Sequence, residues 1–120
     1  MPVLWKAKQP YNVNVAATVA GLTSLAHRGE IQAMVDALIA ERERIYRELA
    51  AFPCLHPYPS AANFVLARFG DRAIEVRDRL RDKGILVRDR SYEMPGCVRI
   101  TVGTKAQLRT FLEALAEILG

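Results

Sequence analysis

Two arginines are placed where they could do chemistry. Arg88 ends the run "ILVR", and Arg99 sits second in "VRITV". Both runs are rich in β-branched and aliphatic residues, and the loop "DRSYEMPG" joins them, so they read as two strands of a hairpin. Alternate residues of a strand face the same side. Ile85 and Val87 therefore share one face, with Leu86 and Arg88 on the other. Val98, Ile100 and Val102 share one face, with Arg99 and Thr101 on the other. If Arg88 lies opposite Arg99, Val87 meets Ile100 and Ile85 meets Val102 on the core side, while Leu86 meets Thr101 on the other. A slip of one residue would oppose core residues to the wrong face.

This register predicts two guanidinium groups side by side. Directly opposed Cβ atoms lie about 5 Å apart. Two like charges at that distance repel by about 1 kcal/mol in water, and by about 3 kcal/mol at an effective dielectric of about 20. An anion held between them reverses the sign, because each charge-assisted hydrogen bond contributes about 1.5–3 kcal/mol. The guanidinium fork matches carboxylate and phosphate oxygens. The competing reading is two surface arginines paired with Asp89 and Glu93.

The remaining reactive residues form no comparable set. Cys54 and Cys97 make no CxxC and match no zinc spacing. They read as free, buried thiols of a reducing compartment. His27 and His56 have no metal-ligand spacing, so no metal site is expected. The chain has no P-loop, GxGxxG, HExxH or GxSxG motif, and no carboxylate pair or Ser/Cys–His set stands out as an acid–base or nucleophilic unit. No catalytic residue is assigned. The pattern can hold a substrate but not transform one.

The elements that must carry the arginines follow from periodicity and punctuation. Residues 3–9 read as extended, because Pro10 disfavours helix at Gln9. Asn12 or Asn14 is placed to cap a first helix over Val15–His27, with amphipathic spacing at Val15, Val19, Leu22 and Leu25, and Gly29 is expected to break it. A longer helix over Glu30–Phe52 carries Ile31, Val35, Leu38, Ile45 and Leu49 at three-then-four spacing, interrupted by Arg42. Pro53 ends it, and "PCLHPYPSA" reads as an irregular connection. "ANFVLARF" reads as a strand. Asp71 is expected to cap a helix with Ala73, Val76, Arg77 and Leu80 on one face, closed by Gly84 in a left-handed C-cap. After the hairpin, Thr104 and Gln107 form a capping box for a final helix with Leu108, Phe111, Leu112, Leu115 and Leu119 in its buried stripe. The order is helix, helix, strand, helix, strand, strand, helix. A right-handed crossover makes the first two strands parallel, and the hairpin makes the third antiparallel to the second.

Length and composition agree with one such domain. The 120 residues suffice for a real core. The apolar share of 51% and charged share of 25% are those of a globular domain. The net charge of +4 is mild and interleaved, as in "ERERIYRE", with no basic run or aromatic–basic signature for nucleic acid. The run "VNVAATVAGLTSLAH" is too polar and short to span a membrane and reads as mature structure.

The stretches "LWKAKQPYNVN", "SAANFVL", "KGILVRD" and "GCVRITVGT" together resemble, in order and spacing, the C-terminal part of histidinol-phosphate aminotransferases. These are class I/II aminotransferases, fold type I enzymes that use pyridoxal phosphate, and the resemblance covers essentially the whole chain. It implies an α/β fold: the C-terminal small domain of such an enzyme, with a small mixed three-stranded sheet packed with helices. Residues 1–28 would be an interdomain segment and first helix, and residues 29–120 the small domain. "KQPYNVN" would be the crossing from the large domain into the small one.

The resemblance also implies a reaction, amino transfer between L-histidinol phosphate and 2-oxoglutarate in histidine biosynthesis, by a cytoplasmic homodimer (plastid-located in a photosynthetic eukaryote). The arginines of the "VRITVG" and "GILVRD" strands, Arg99 and Arg88, would contact the substrate's anionic group. Asn63 and Tyr11 lie in matching motifs near the expected pocket, where a structural role for each competes. The lysine that forms the Schiff base belongs to a Ser-Lys motif upstream in the family. Neither Lys6 nor Lys8 sits in such a motif, so pyridoxal 5'-phosphate would be held mainly by a large domain absent here, and Met1 reads as the start of a truncated chain. Two other readings stay open: another class I/II aminotransferase or a phosphothreonine decarboxylase-like relative, and a stand-alone α/β module that binds a small anion.

Overall fold

A computed structural model describes residues 13–120. The extended segment expected over residues 3–9, and Lys6, Lys8 and Tyr11, lie outside the described residues. These divide into two compact units, one ending at Met34 and one starting at Val35.

In the first unit, helix α1 runs Val15–Ala26. The Asn14 side chain accepts a hydrogen bond from the Ala17 N–H at 2.8 Å, so Asn14 is the cap. None of the helix's residues is buried, and the stripe of Val15, Val19, Leu22 and Leu25 is exposed. Helix α2 runs Arg28–Ala50; it begins in the first unit, and its buried residues, Ile45 and Leu49, belong to the second. The break expected at Gly29 falls at His27 instead. The His27 N–H donates to the Thr23 and Ser24 carbonyls, and its own carbonyl already accepts from Glu30 and Ile31. One residue of turn is enough, and Gly29 is absorbed into the first turn of α2.

The second unit is built around a four-stranded sheet with strand order β1-β2-β4-β3. Its strands are β1 His56–Pro57, β2 Phe64–Arg68, β3 Arg88–Asp89 and β4 Cys97–Thr101. A 3-10 turn over Gly70–Arg72 leads into helix α3, Ala73–Asp82, and helix α4 runs Lys105–Leu119. The expected mixed three-stranded sheet is corrected in two respects. β1 arises inside the proline-rich connection, because His56 and Pro57 pair with Arg68 and Ala67. Every adjacent pair is antiparallel, because β4 inserts between β2 and β3. β2 and β3 do run in the same direction, as the crossover requires, but they are not neighbours.

One sheet face is closed by helices. Val65, Ala67, Val98 and Ile100 share a single buried cluster with Ile45 and Leu49 of α2, with Val76 and Leu80 of α3, and with Leu108, Phe111, Leu115 and Ile118 of α4. The alternation is visible in β4, where Val98 and Ile100 are fully buried while Arg99 between them is half-buried. Arg42, which interrupts the apolar spacing of α2, donates to the Ala62 carbonyl at 3.3 Å and so anchors the loop before β2.

Termini and turns obey local chemistry, with exceptions that have causes. Thr104 and Gln107 form the reciprocal capping box of α4. Gly84, at φ +77°, closes α3. Its N–H reaches the Arg81 carbonyl at 2.8 Å, and the Ile85 N–H reaches Leu80 at 2.9 Å, the pairing of a Schellman cap. Asp71 does not cap α3. Gly70, at φ +62°, starts the 3-10 turn, and the Ala73 N–H bonds to the Gly70 carbonyl. Cys97 is buried as expected, but Cys54 is exposed, because it follows the end of α2 in the irregular connection.

The start of β4 depends on two glycines. Gly96 has φ +72°, and a Cβ there would lie 2.8 Å from both Cα and the carbonyl oxygen of Gly70. The close approach also lets the Phe69 N–H donate to the Gly96 carbonyl at 2.7 Å. A side chain at Gly84 would meet nothing within 4 Å. Gly84→Ala is therefore expected to lower stability by about 1–2 kcal/mol, the cost of a left-handed L-residue. Gly96→Ala should cost more, since backbone must also move. Urea denaturation of the two variants checks the order, and equal midpoints would refute the glycine-contact account.

Candidate functional site

The uncovered face of the sheet carries the candidate site. Arg88 is the direct partner of Arg99, and Asp89 of Val98, which is the register expected from side-chain alternation. Only Arg88 and Asp89 of the "ILVR" run and its flank form ladder pairs. Ile85 and Val87 reach the core as half-buried residues, and Leu86 is exposed. On the other side of β4, Leu66 is opposite Arg99, Phe64 opposite Thr101 and Arg68 opposite Cys97. Phe64, Leu66 and Arg68 therefore share the face of Arg88 and Arg99.

The carboxylates that could neutralise the pair are engaged elsewhere. Glu93 pairs with Arg90. Asp89 accepts from the Ser91 hydroxyl at 2.6 Å and the Ser91 N–H at 2.9 Å, and Arg77 of α3 lies 3.8 Å away. The Ser91 side-chain and backbone hydrogen bonds, helped by Arg77 and opposed by partial burial, hold the Asp89 carboxyl below its ordinary value. Most other arginines lie within 4.0 Å of an acidic partner, as in Arg44–Glu41, Arg79–Glu75 and Arg109–Glu113. Among the described residues, neither Arg88 nor Arg99 has such a partner. The paired-surface reading of the two arginines is thus not what the structure forms.

Arg99 is the more constrained of the two. Its Nε is buried with no hydrogen-bond partner among the described residues, and its guanidinium carbon lies 5.2 Å from the centroid of the Phe64 ring. A buried donor without an acceptor is costly, by about 1–3 kcal/mol, and a phosphate or carboxylate oxygen is the acceptor its geometry suits. Tyr58, Arg68, Glu93, Met94, Pro95 and Cys97 line a cavity of about 330 Å³ whose lining includes neither Arg88 nor Arg99. A larger cavity of about 500 Å³, between the Lys83–Val87 segment and α4, includes neither Arg88 nor Arg99.

Asn63 is exposed, and its carbonyl accepts the Val102 N–H at 2.9 Å, extending the β2–β4 pairing by one step. Its neighbour Phe64, not Asn63, is the residue against Arg99. Sequence reasoning did not single out Phe64 or Arg68. The strand alternation of "FVLAR" would have placed both on one face, but only the β2–β4 register shows that this is the face of Arg99.

The site is a sheet backed by helices on one face, with two opposed arginines on the other. The chain matches the family model described as aminotransferase class I and II over residues 4–115, and it belongs to that family. Over 96% of its length it is 48% identical to the histidinol-phosphate aminotransferase of Roseiflexus castenholzii, covering 32% of that protein. Its fold is similar to that of histidinol-phosphate aminotransferase from Sinorhizobium meliloti in complex with pyridoxal-5'-phosphate, with a TM-score of 0.75 and 30% identity over 86% of this chain and 29% of that one. It is also similar to L-threonine-O-3-phosphate decarboxylase from Porphyromonas gingivalis, with a TM-score of 0.73 and 26% identity over 89% and 34% of the two chains. The chain spans about a third of the length of these relatives. No helix of the described residues is long and apolar enough to cross a membrane.

Asp89 ties the two-residue strand β3 to α3 and to the following turn, so its ionisation contributes to stability. Its folded pKa is lowered, so the unfolded chain binds the proton more tightly. That contribution is fully present above the unfolded value, about 3.9, and is lost as pH falls through the lower folded value. Asp89→Asn is expected to remove this part of the acid dependence. Urea midpoints at neutral pH and near pH 3 measure it, and an unchanged slope with pH would show that Asp89 is not the titrating group.

Proposed function

We propose that the chain is the C-terminal part of a pyridoxal-phosphate-dependent aminotransferase, histidinol-phosphate:2-oxoglutarate aminotransferase, and that it supplies Arg99 and Arg88 for the substrate's anionic group. The observation that carries this reading is the direct opposition of Arg88 and Arg99 with no carboxylate partner among the described residues, on a chain that belongs to the aminotransferase family. An oxyanion placed between the forks removes their mutual repulsion.

The described residues do not fit a site for the cofactor itself. Their two lysines are Lys83, which donates to Glu117 at 2.8 Å, and Lys105, exposed in the first turn of α4. In this reading pyridoxal phosphate is held by the part of the relatives' length that this chain does not span. The function of these residues is to bind and orient. Arg99 and Arg88 fix one end of the substrate, and the apolar core behind β4 keeps that strand rigid. Asn63 and Tyr11 are proposed as further substrate contacts, residues 1–28 as the interdomain segment, and the complete enzyme as a cytoplasmic or plastid-located homodimer.

A phosphate monoester is the favoured anion. The names of the Roseiflexus and Porphyromonas relatives differ in reaction, but both carry a phosphate on an amino compound. That leaves a second reading, a decarboxylase of a phosphorylated amino acid, which would use the same arginines.

A chimera tests these readings, with the 120 residues replacing the matched third of the Roseiflexus castenholzii enzyme. It is expected to transaminate histidinol phosphate, and Arg99→Ala should weaken histidinol phosphate binding at least tenfold, since one strong ionic contact exceeds about 1.4 kcal/mol. An unchanged affinity would remove Arg99 from the site. Turnover of L-threonine O-3-phosphate with release of carbon dioxide would favour the second reading. The 120-residue chain alone is expected to form no borohydride-trappable adduct with pyridoxal phosphate, and a stoichiometric adduct at one lysine would overturn the proposal that the cofactor site lies elsewhere.

A further inference from the structure

Arg99 presents a problem that the anion alone does not solve. A guanidinium that must wait for a ligand needs something to hold it in place. A carboxylate would do so but would also neutralise it and compete with the incoming anion. The structure uses an aromatic face instead. The register puts Phe64 opposite Thr101 and Leu66 opposite Arg99, so Phe64 is the diagonal neighbour of Arg99, within reach of an aromatic side chain. The guanidinium carbon lies over its ring at 5.2 Å, inside the range of cation–π attraction.

Phe64 is itself held firmly. The Ser60 hydroxyl donates to the Phe64 carbonyl at 2.6 Å and accepts from the Ala62 N–H at 3.1 Å. Arg42 donates to the Ala62 carbonyl at 3.3 Å, and the Val102 N–H donates to Asn63 at 2.9 Å. The turn leading into β2 is thus fastened from α2 and from β4, and the ring is delivered to one place. The Arg99 Nε is buried and finds no acceptor among the described residues.

We propose that Phe64 is a positioning residue of the anion site: its ring face holds the Arg99 guanidinium in place without neutralising it, so the N–H groups stay available to an oxyanion. This rests on the reading of Arg99 as an anion ligand and adds how that ligand is kept poised.

The test is arginine Nε–H NMR on the ¹⁵N-labelled 120-residue chain, with inorganic phosphate as the probe. Arg99→Gln identifies the Arg99 resonance by its loss. In the wild-type chain that resonance should lie upfield of the exposed arginines, because it sits over a ring. Phe64→Leu should move it downfield and weaken phosphate binding about threefold or more, while Phe64→Tyr, which keeps the ring, should preserve both. If Phe64→Leu changes neither the shift nor the affinity while Arg99→Gln abolishes binding, Phe64 has no positioning role and the anion site stands. If Arg99→Gln leaves phosphate affinity unchanged, the anion reading falls and this inference with it. A wild-type Arg99 resonance at the position of the exposed arginines overturns the proposal even if Phe64→Leu does not fold.

Discussion

Two positive charges face one another across the β3–β4 ladder, and among the described residues neither has a carboxylate within ion-pair distance. Opposed like charges are unfavourable in a sheet. A fold without use for them would be expected to pair them with the nearest carboxylates, and Asp89 and Glu93 are close in sequence. Both acids are instead engaged elsewhere, Asp89 by Ser91 and Arg77 and Glu93 by Arg90. The repulsion between the two guanidinium groups is therefore left in place among the described residues.

Keeping the charges in place demands a stiff frame. β3 has only two paired residues, too few to hold a register unaided. Its approach is set by the Schellman cap at Gly84, which turns the chain out of α3 with Ile85 and Val87 toward the core. Its exit is set by the turn that Asp89 organises, with Arg77 linking it back to α3. β4 is the central strand, paired on both sides, and the contact of Gly96 with Gly70 fixes where it starts. The core face of β4, Val98 and Ile100, is buried against three helices, so Arg99 is carried on one of the least movable parts of the unit.

This division of labour suits membership of the aminotransferase class I and II family. The described residues offer a sheet face with two opposed arginines and no acid–base or nucleophilic set. Relatives named for different reactions share this fold.

Much of this was legible in the residues themselves. Alternation put Arg88 and Arg99 on one face and excluded a one-residue slip, which would turn Val87, Val98 and Ile100 off the core side, and the Arg88–Arg99 pairing is the one formed. The caps at Gly84 and Thr104 followed from side-chain and backbone chemistry that acts over a few residues, and the structure chose Asn14 where the sequence left Asn12 or Asn14. Local signals failed where a nearby or distant group competed. Gly70 displaced Asp71 as the start of the α3 region, and the His27 turn left Gly29 inside a helix. What only the tertiary structure decided was non-local: β4 between β2 and β3, the extra strand at His56–Pro57, the Gly70–Gly96 contact, the Arg77–Asp89 link and the Phe64 ring against Arg99. Each depends on which distant segments become neighbours, and that is settled by burying one shared core, not by any periodicity within a single segment.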